Sequence, residues 1–136
     1  MKVTSPFPLD EESFVVRIDD ATVTIGCSAL VRFDGRLTNG GAAELESIAR
    51  RVHRAAIGFR PRRVHVDVRA LEWASEAVVR VFVAWAMWIE HGAGAPTYRL
   101  SFVIDPASAW QRATFRTLRS IAPAVVELSE LVEVIS

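Results

Sequence analysis

The chain has 136 residues, 51% of them hydrophobic and 24% charged, with no formal net charge at neutral pH. That length fits one domain with a core of its own, and the apolar share excludes a disordered chain. Balanced charge argues against a nucleic-acid or membrane-surface binder, which carries excess cations. The single Cys27 cannot close an internal disulfide and suits a reducing compartment.

Residues 1–13 hold Pro6, Pro8, Asp10, Glu11 and Glu12 and read as a flexible N-terminal arm. With no apolar stretch there, no signal peptide is expected, and the default location is the cytoplasm. Residues 14–136 read as a single domain. Phe14-Val15-Val16-Arg17-Ile18 has the β-branched and aromatic content of a strand, and Asp19-Asp20 turns it. A second strand is expected over 22–25, and a third over 29–33, closed by Asp34-Gly35. Thr38 or Asn39 is placed to cap a helix over 42–57, where Leu45, Ile48, Val52, Ala55 and Ala56 recur at helical spacing. Gly58 is expected to end it.

Residues 64–68 alternate as a strand, and 69–75 read as a short loop. Ser75 is a fitting N-cap for the next helix, with Glu76 favoured in its first turn by the helix dipole. This helix holds the longest apolar run, residues 77–89. The run contains Arg80 and falls short of the roughly 20 residues that cross a bilayer, so it is read as a buried helix. His91-Gly92 stops it. A strand over 98–104, a helix from Ser108 to Ile121, a short strand over 125–128 and an apolar tail at Leu131 and Val132 complete the chain. The order β-β-(β)-α-β-α-β-α-β predicts an α/β fold: one mixed sheet, helices on one face, and 64–68 and 98–104 as central parallel strands.

The unit Val66-Asp67-Val68, then Trp73, then Ser75-Glu76-Ala77-Val78 at the mouth of a long apolar helix resembles the central segment of STAS domains. These are the anti-sigma factor antagonists and related domains of sulphate transporters. The order of elements agrees over about residues 14–128. Trp110-Gln111, Leu118 and Pro123 are similar to the last helix of a small bacterial subgroup of STAS-like regulators. In this alignment Ser75 falls where the family has Asp, Glu76 on its first Ser, Ala77 on the phosphorylated second Ser, and Val78 on its Gly. The resemblance implies a bacterial, non-enzymatic signalling module that binds a protein, an anti-sigma-type serine kinase in that family. Ala77 lacks the usual phosphoacceptor hydroxyl. Glu76 then supplies either a fixed phospho-like charge or plain dipole complementation, and a switch moved to Ser75 is the remaining phosphorylation site.

The partner surface is therefore expected at Trp73, Ser75, Glu76, Ala77 and Arg80, within residues 71–80, with 36–41 nearby. A secondary basic patch is formed by Arg50, Arg51, Arg54, Arg62 and Arg63, in a stretch where residues 48–69 hold seven Arg against one Asp. It suits an acidic protein surface better than nucleic acid, because Phe59 is the only aromatic residue among these arginines. His65 and Asp67 share one strand face, but no third ligand accompanies them, so no metal site is expected of His53, His65 or His91. No catalytic residue and no cofactor is expected, since no phosphate loop, dinucleotide fingerprint, nucleophile elbow, HExxH or CxxC is present. Of Trp73, Trp85, Trp88 and Trp110, one or two are expected at the surface for a partner. Two rival readings remain at this stage: a scaffolding subunit that kept the fold and lost the switch, and a small-ligand or nucleotide-binding domain. A homodimer is compatible with the sequence.

Overall fold

The structure, a computed structural model, describes residues 14–26, 29–92 and 98–129. The expected arm (1–13), Cys27 and the tail at Leu131 and Val132 lie outside the described residues. The strands are β1 (Phe14–Ile18), β2 (Asp20–Gly26), β3 (Leu30–Leu37), β4 (Arg63–Ala74), β5 (Arg99–Val103) and β6 (Val126–Ser129). The helices are α1 (Ala42–Phe59), α2 (Glu76–Glu90) and α3 (Ala109–Ile121), with a 3-10 turn at Asn39–Gly41 before α1. The strands form one sheet in the order β1-β2-β3-β4-β5-β6. The pairings β1–β2 and β2–β3 are antiparallel, and β3–β4, β4–β5 and β5–β6 are parallel. Each parallel step needs a crossover, and α1, α2 and α3 supply the three in turn.

Register explains why one face is covered. Val23 pairs Phe33, Val31 pairs Val66, and Val66 pairs Phe102, so these side chains stand on the same side, and all are buried. Leu45 and Val52 of α1, Phe82 and Trp85 of α2, and Phe115 and Leu118 of α3 complete the same core. Phe82 sits edge-on to Phe33 (5.8 Å between centroids) and to Phe102 (5.6 Å). Edge-to-face pairs add about 0.5–1.5 kcal/mol each beyond their buried area. The other face carries Thr24, Arg32, Asp67 and Val103 in register, a mostly polar row, and the helix residues of the core lie on the opposite side.

Several expected boundaries move. The third strand does not stop at Asp34-Gly35 but runs to Leu37. Gly35 lies inside it at φ 115°, where a Cβ would stand 2.4 Å from the Asp20 carbonyl oxygen, so only glycine fits. Thr38 does not cap α1. Its backbone N–H donates to the Asp19 carboxylate at 3.0 Å and its hydroxyl bonds the same oxygen, which ties the β1–β2 turn to the approach to α1. These bonds hold the Asp19 carboxyl below its ordinary range. α1 instead begins at Gly41 without a side-chain cap, packed so closely that a Cβ there would be 2.7 Å from Ile18 Cγ2. Its end is one residue past Gly58: Arg60 takes the left-handed conformation (φ 58°), and its N–H bonds the Ala56 carbonyl.

The largest difference is at β4. Residues 69–74, expected as loop, continue the strand through irregular register opposite Arg32–Asp34 and Gly35–Arg36. The Asp67 carboxylate accepts the Arg69 backbone N–H (3.1 Å), and the Gln111 amide donates to the carbonyls of Val68 (2.8 Å) and Leu71 (3.0 Å). Side chains thus satisfy the groups that the neighbouring strands leave open, and Leu71 and Ala74 stay buried.

Candidate functional site

The extended β4 delivers the chain directly to α2. The Ser75 N–H donates to the Leu37 carbonyl (2.9 Å), which fixes the β3 end against the α2 start. The Ser75 side chain then accepts from the Val78 N–H (3.3 Å), the expected N-cap. Ser75 is only 4% exposed, and its hydroxyl is committed to that bond. A phosphoryl group on it would first require the cap to open.

Around this buried hinge the surface is polar and aromatic. Trp73 is 44% exposed, and Glu72 beside it is exposed as well. Glu76 and Arg80, one helical turn apart, pair at 3.1 Å with both side chains in solvent. Such a pair contributes a few tenths of a kcal/mol to the helix. Ala77 is half-buried between them and presents a methyl group. Arg36 pairs in register with Trp73, and Arg36, Asn39 and Gly40 are exposed at the end of β3 and the turn after it. Of the expected surface residues, Glu76, Ala77 and Arg80 share the first turns of α2 at the Ser75 cap, whereas Trp73 lies before the cap in register with Arg36 of β3. The arrangement offers an indole face, a carboxylate at a helix N-terminus and guanidinium groups, which is the chemistry of protein docking.

The expected basic patch is divided. Arg50, Arg51 and Arg54 lie exposed on α1. Arg50 is held by Glu46 (3.0 Å) and lies over the Trp88 ring at 4.3 Å from its centroid. Arg62 is exposed at the entry to β4, while Arg63 makes two bonds to Glu127 of β6, at 2.6 and 3.1 Å. Arg99 reaches the same carboxylate at 3.2 Å. The Arg63 hydrogen bond and the nearby cations hold the Glu127 carboxyl below its usual range.

His65 and Asp67 do share the open sheet face. Asp67 is nearly buried there, bonded by both the Nε and an Nη of Arg69 (3.0 and 2.8 Å), with Arg32 at 3.6 Å. Burial pushes its carboxyl up, but the Arg69 bonds and the Arg32 charge outweigh this and lower it. Among the described residues no three of His, Cys, Asp or Glu converge as metal ligands. Of the four tryptophans, Trp85 is core, Trp88 and Trp110 are half-buried, and Trp73 is the exposed one.

Two features were not foreseen from sequence. One is the Gln111 clamp on β4. The other is a chain of hydrogen bonds from Trp85 Nε1 to the Tyr98 hydroxyl (2.8 Å) and on to His53 Nδ1 (2.7 Å). Burial pushes the Tyr98 phenol up, so it stays a protonated donor. The aromatic and His identities were the signal available, but pairing residues 45 apart needs the topology.

The fold matches solved structures. A crystal structure of an anti-sigma factor antagonist from Mycobacterium paratuberculosis superposes with a TM-score of 0.52 at 16% identity, covering 88% of this chain and 86% of that one. A protein of the DUF3478 family with a SpoIIAA-like fold from Shewanella loihica gives a TM-score of 0.46 at 13% identity, covering 88% and 85%. No family model and no curated protein matches the sequence. The chain has a STAS-like fold: a mixed six-stranded sheet with three helices among the described residues. No helix among those residues is long and apolar enough to cross a membrane.

Proposed function

We propose that the chain is a non-enzymatic regulatory module of bacterial signal transduction, acting in the cytoplasm by docking a partner protein at the β4–α2 junction. The observation that carries this reading is the exposed Glu76–Arg80 pair in the first turns of α2, with the exposed Trp73 two residues before the Ser75 cap. Large aromatics at surfaces are enriched among residues that dominate binding energy. The partner class is an anti-sigma-type serine kinase, the kind that the STAS resemblance implies. Crosslinking in cells followed by mass spectrometry tests it, with wild type and Trp73→Ala as baits. A kinase-like protein captured by wild type and lost with Trp73→Ala supports the reading. Equal capture by both baits contradicts it.

A second reading is favoured by Ala77 and by the commitment of the Ser75 hydroxyl: a scaffolding subunit, homodimeric or larger, that kept the fold without the phospho-switch. Self-crosslinks centred on residues 71–80, with no kinase-like partner, would favour it over the first.

A further inference from the structure

Away from the α2 start, α1 and α2 enclose an open groove of about 590 Å³ lined by Arg50, His53, Arg54, Met87, Trp88 and His91. No acidic side chain lines it. Glu46 neutralises Arg50, but among the described residues Arg54 has no ion-pair partner, and it is exposed. The groove is thus cationic at its α1 wall and apolar at Met87 and Trp88.

His53 is preset within it. Trp85 Nε1 can only donate, so the Tyr98 oxygen accepts from it, which leaves the Tyr98 O–H free to donate to His53 Nδ1. In that arrangement the neutral ring carries its proton on Nε2, at the far side of the ring from Tyr98. The imidazole therefore brings an oriented N–H donor to a groove that also holds an unpaired guanidinium. The geometry points to a binding site for a small organic anion: a carboxylate or phosphate held by Arg54 and His53 Nε2–H, with an apolar body against Met87 and Trp88.

The electrostatics agree. Burial, then the charges of Arg50 and Arg54, hold His53 below the ordinary imidazole range. The groups facing it are these two arginines and His91 around the groove, and Tyr98 behind it. A bound anion offsets the arginine charges, so occupancy raises the His53 pKa, and by linkage affinity grows as pH falls through that value.

The test is an NMR titration of the His53 ring signals with phenyl phosphate, inorganic phosphate and benzyl alcohol, in wild type and Arg54→Gln. Arg54 is exposed, so its replacement leaves the core intact. The site requires saturable His53 shifts with phenyl phosphate and an upward move of the His53 titration midpoint. It also requires binding about ten-fold weaker in Arg54→Gln, and about ten-fold weaker for inorganic phosphate, each equal to about 1.4 kcal/mol. Unmoved His53 signals, an affinity unchanged by Arg54→Gln, or equal binding of benzyl alcohol would overturn the anion site. Equal affinity for both phosphates would overturn the apolar half of the groove.

Discussion

Gln111 is 1% exposed and completes hydrogen bonds to three backbone groups, the carbonyls of Val68 and Leu71 and the N–H of Asp105. One amide thus anchors α3, the end of β5 and the irregular middle of β4. A leucine of similar volume would fill the space and orphan all three groups, each costing about 1–3 kcal/mol if left unpaired in the interior. Gln111→Leu is expected to lower unfolding free energy by at least about 2 kcal/mol in urea titration. A loss under about 0.5 kcal/mol would mean that water or a local shift replaces the clamp. This residue also marks a limit of sequence reading. Trp110-Gln111 stood out by resemblance, but two of its three partners lie 40 and more positions earlier, and all are backbone atoms, which no side-chain pattern announces.

Among the elements, α2 was the most legible, because its signals are local. Ser75 caps it, an apolar run fills it, and His91 closes it where expected. α1 kept its apolar spacing but not its ends. Its start is set by the close contact of Gly41 with Ile18, and its end by a left-handed Arg60 rather than by Gly58. The expectation for β4 stops at residue 68 because Arg69, Ala70 and Glu72 break the alternation; the strand continues there by irregular pairing with β3, supported by Asp67 and Gln111. The α2 cap makes a prediction at this scale. Ser75→Ala should cost about 1 kcal/mol of stability, within the usual 0.5–2 range for a lost cap. Incubation of the wild-type chain with an anti-sigma-type kinase and ATP should leave residues 71–80 unmodified by mass spectrometry. Stoichiometric phosphate on Ser75 would instead show that the cap opens and serves as a relocated switch.

For the whole molecule, the sheet separates two tasks. One face carries the aromatic core. The other carries ion pairs in which Asp67 meets Arg69 and Arg32, and Glu127 meets Arg63 and Arg99. Both carboxyls have lowered pKa values in the fold. Their contribution is therefore complete above the ordinary carboxylate pKa of about 4 and is lost as pH falls through the folded values. The stability advantage of wild type over Asp67→Asn should be constant from neutral pH to about 5 and shrink below about 4, followed by chemical denaturation at each pH. A difference that persists unchanged into strong acid would show that the Asp67 charge is not what the arginines stabilise. The ion pairs on the open face were only partly legible: His65 and Asp67 were seen to share a face, but the arginines that claim Asp67 come from a bulge and from β3.

Partner docking at the β4–α2 junction is tested most directly by titration calorimetry of wild type and Glu76→Lys against the protein captured by crosslinking. Glu76 is exposed, and the reversal loses its weak pair with Arg80 and its favourable place at the helix N-terminus, about 1 kcal/mol in all, so the melting temperature should fall by only a few degrees. At a docking surface it removes a favourable charge and adds a repulsive one. Affinity is then expected to fall about ten-fold, or about 1.4 kcal/mol. Equal affinities for the two proteins would contradict the assignment and shift the interface to the arginine face of α1.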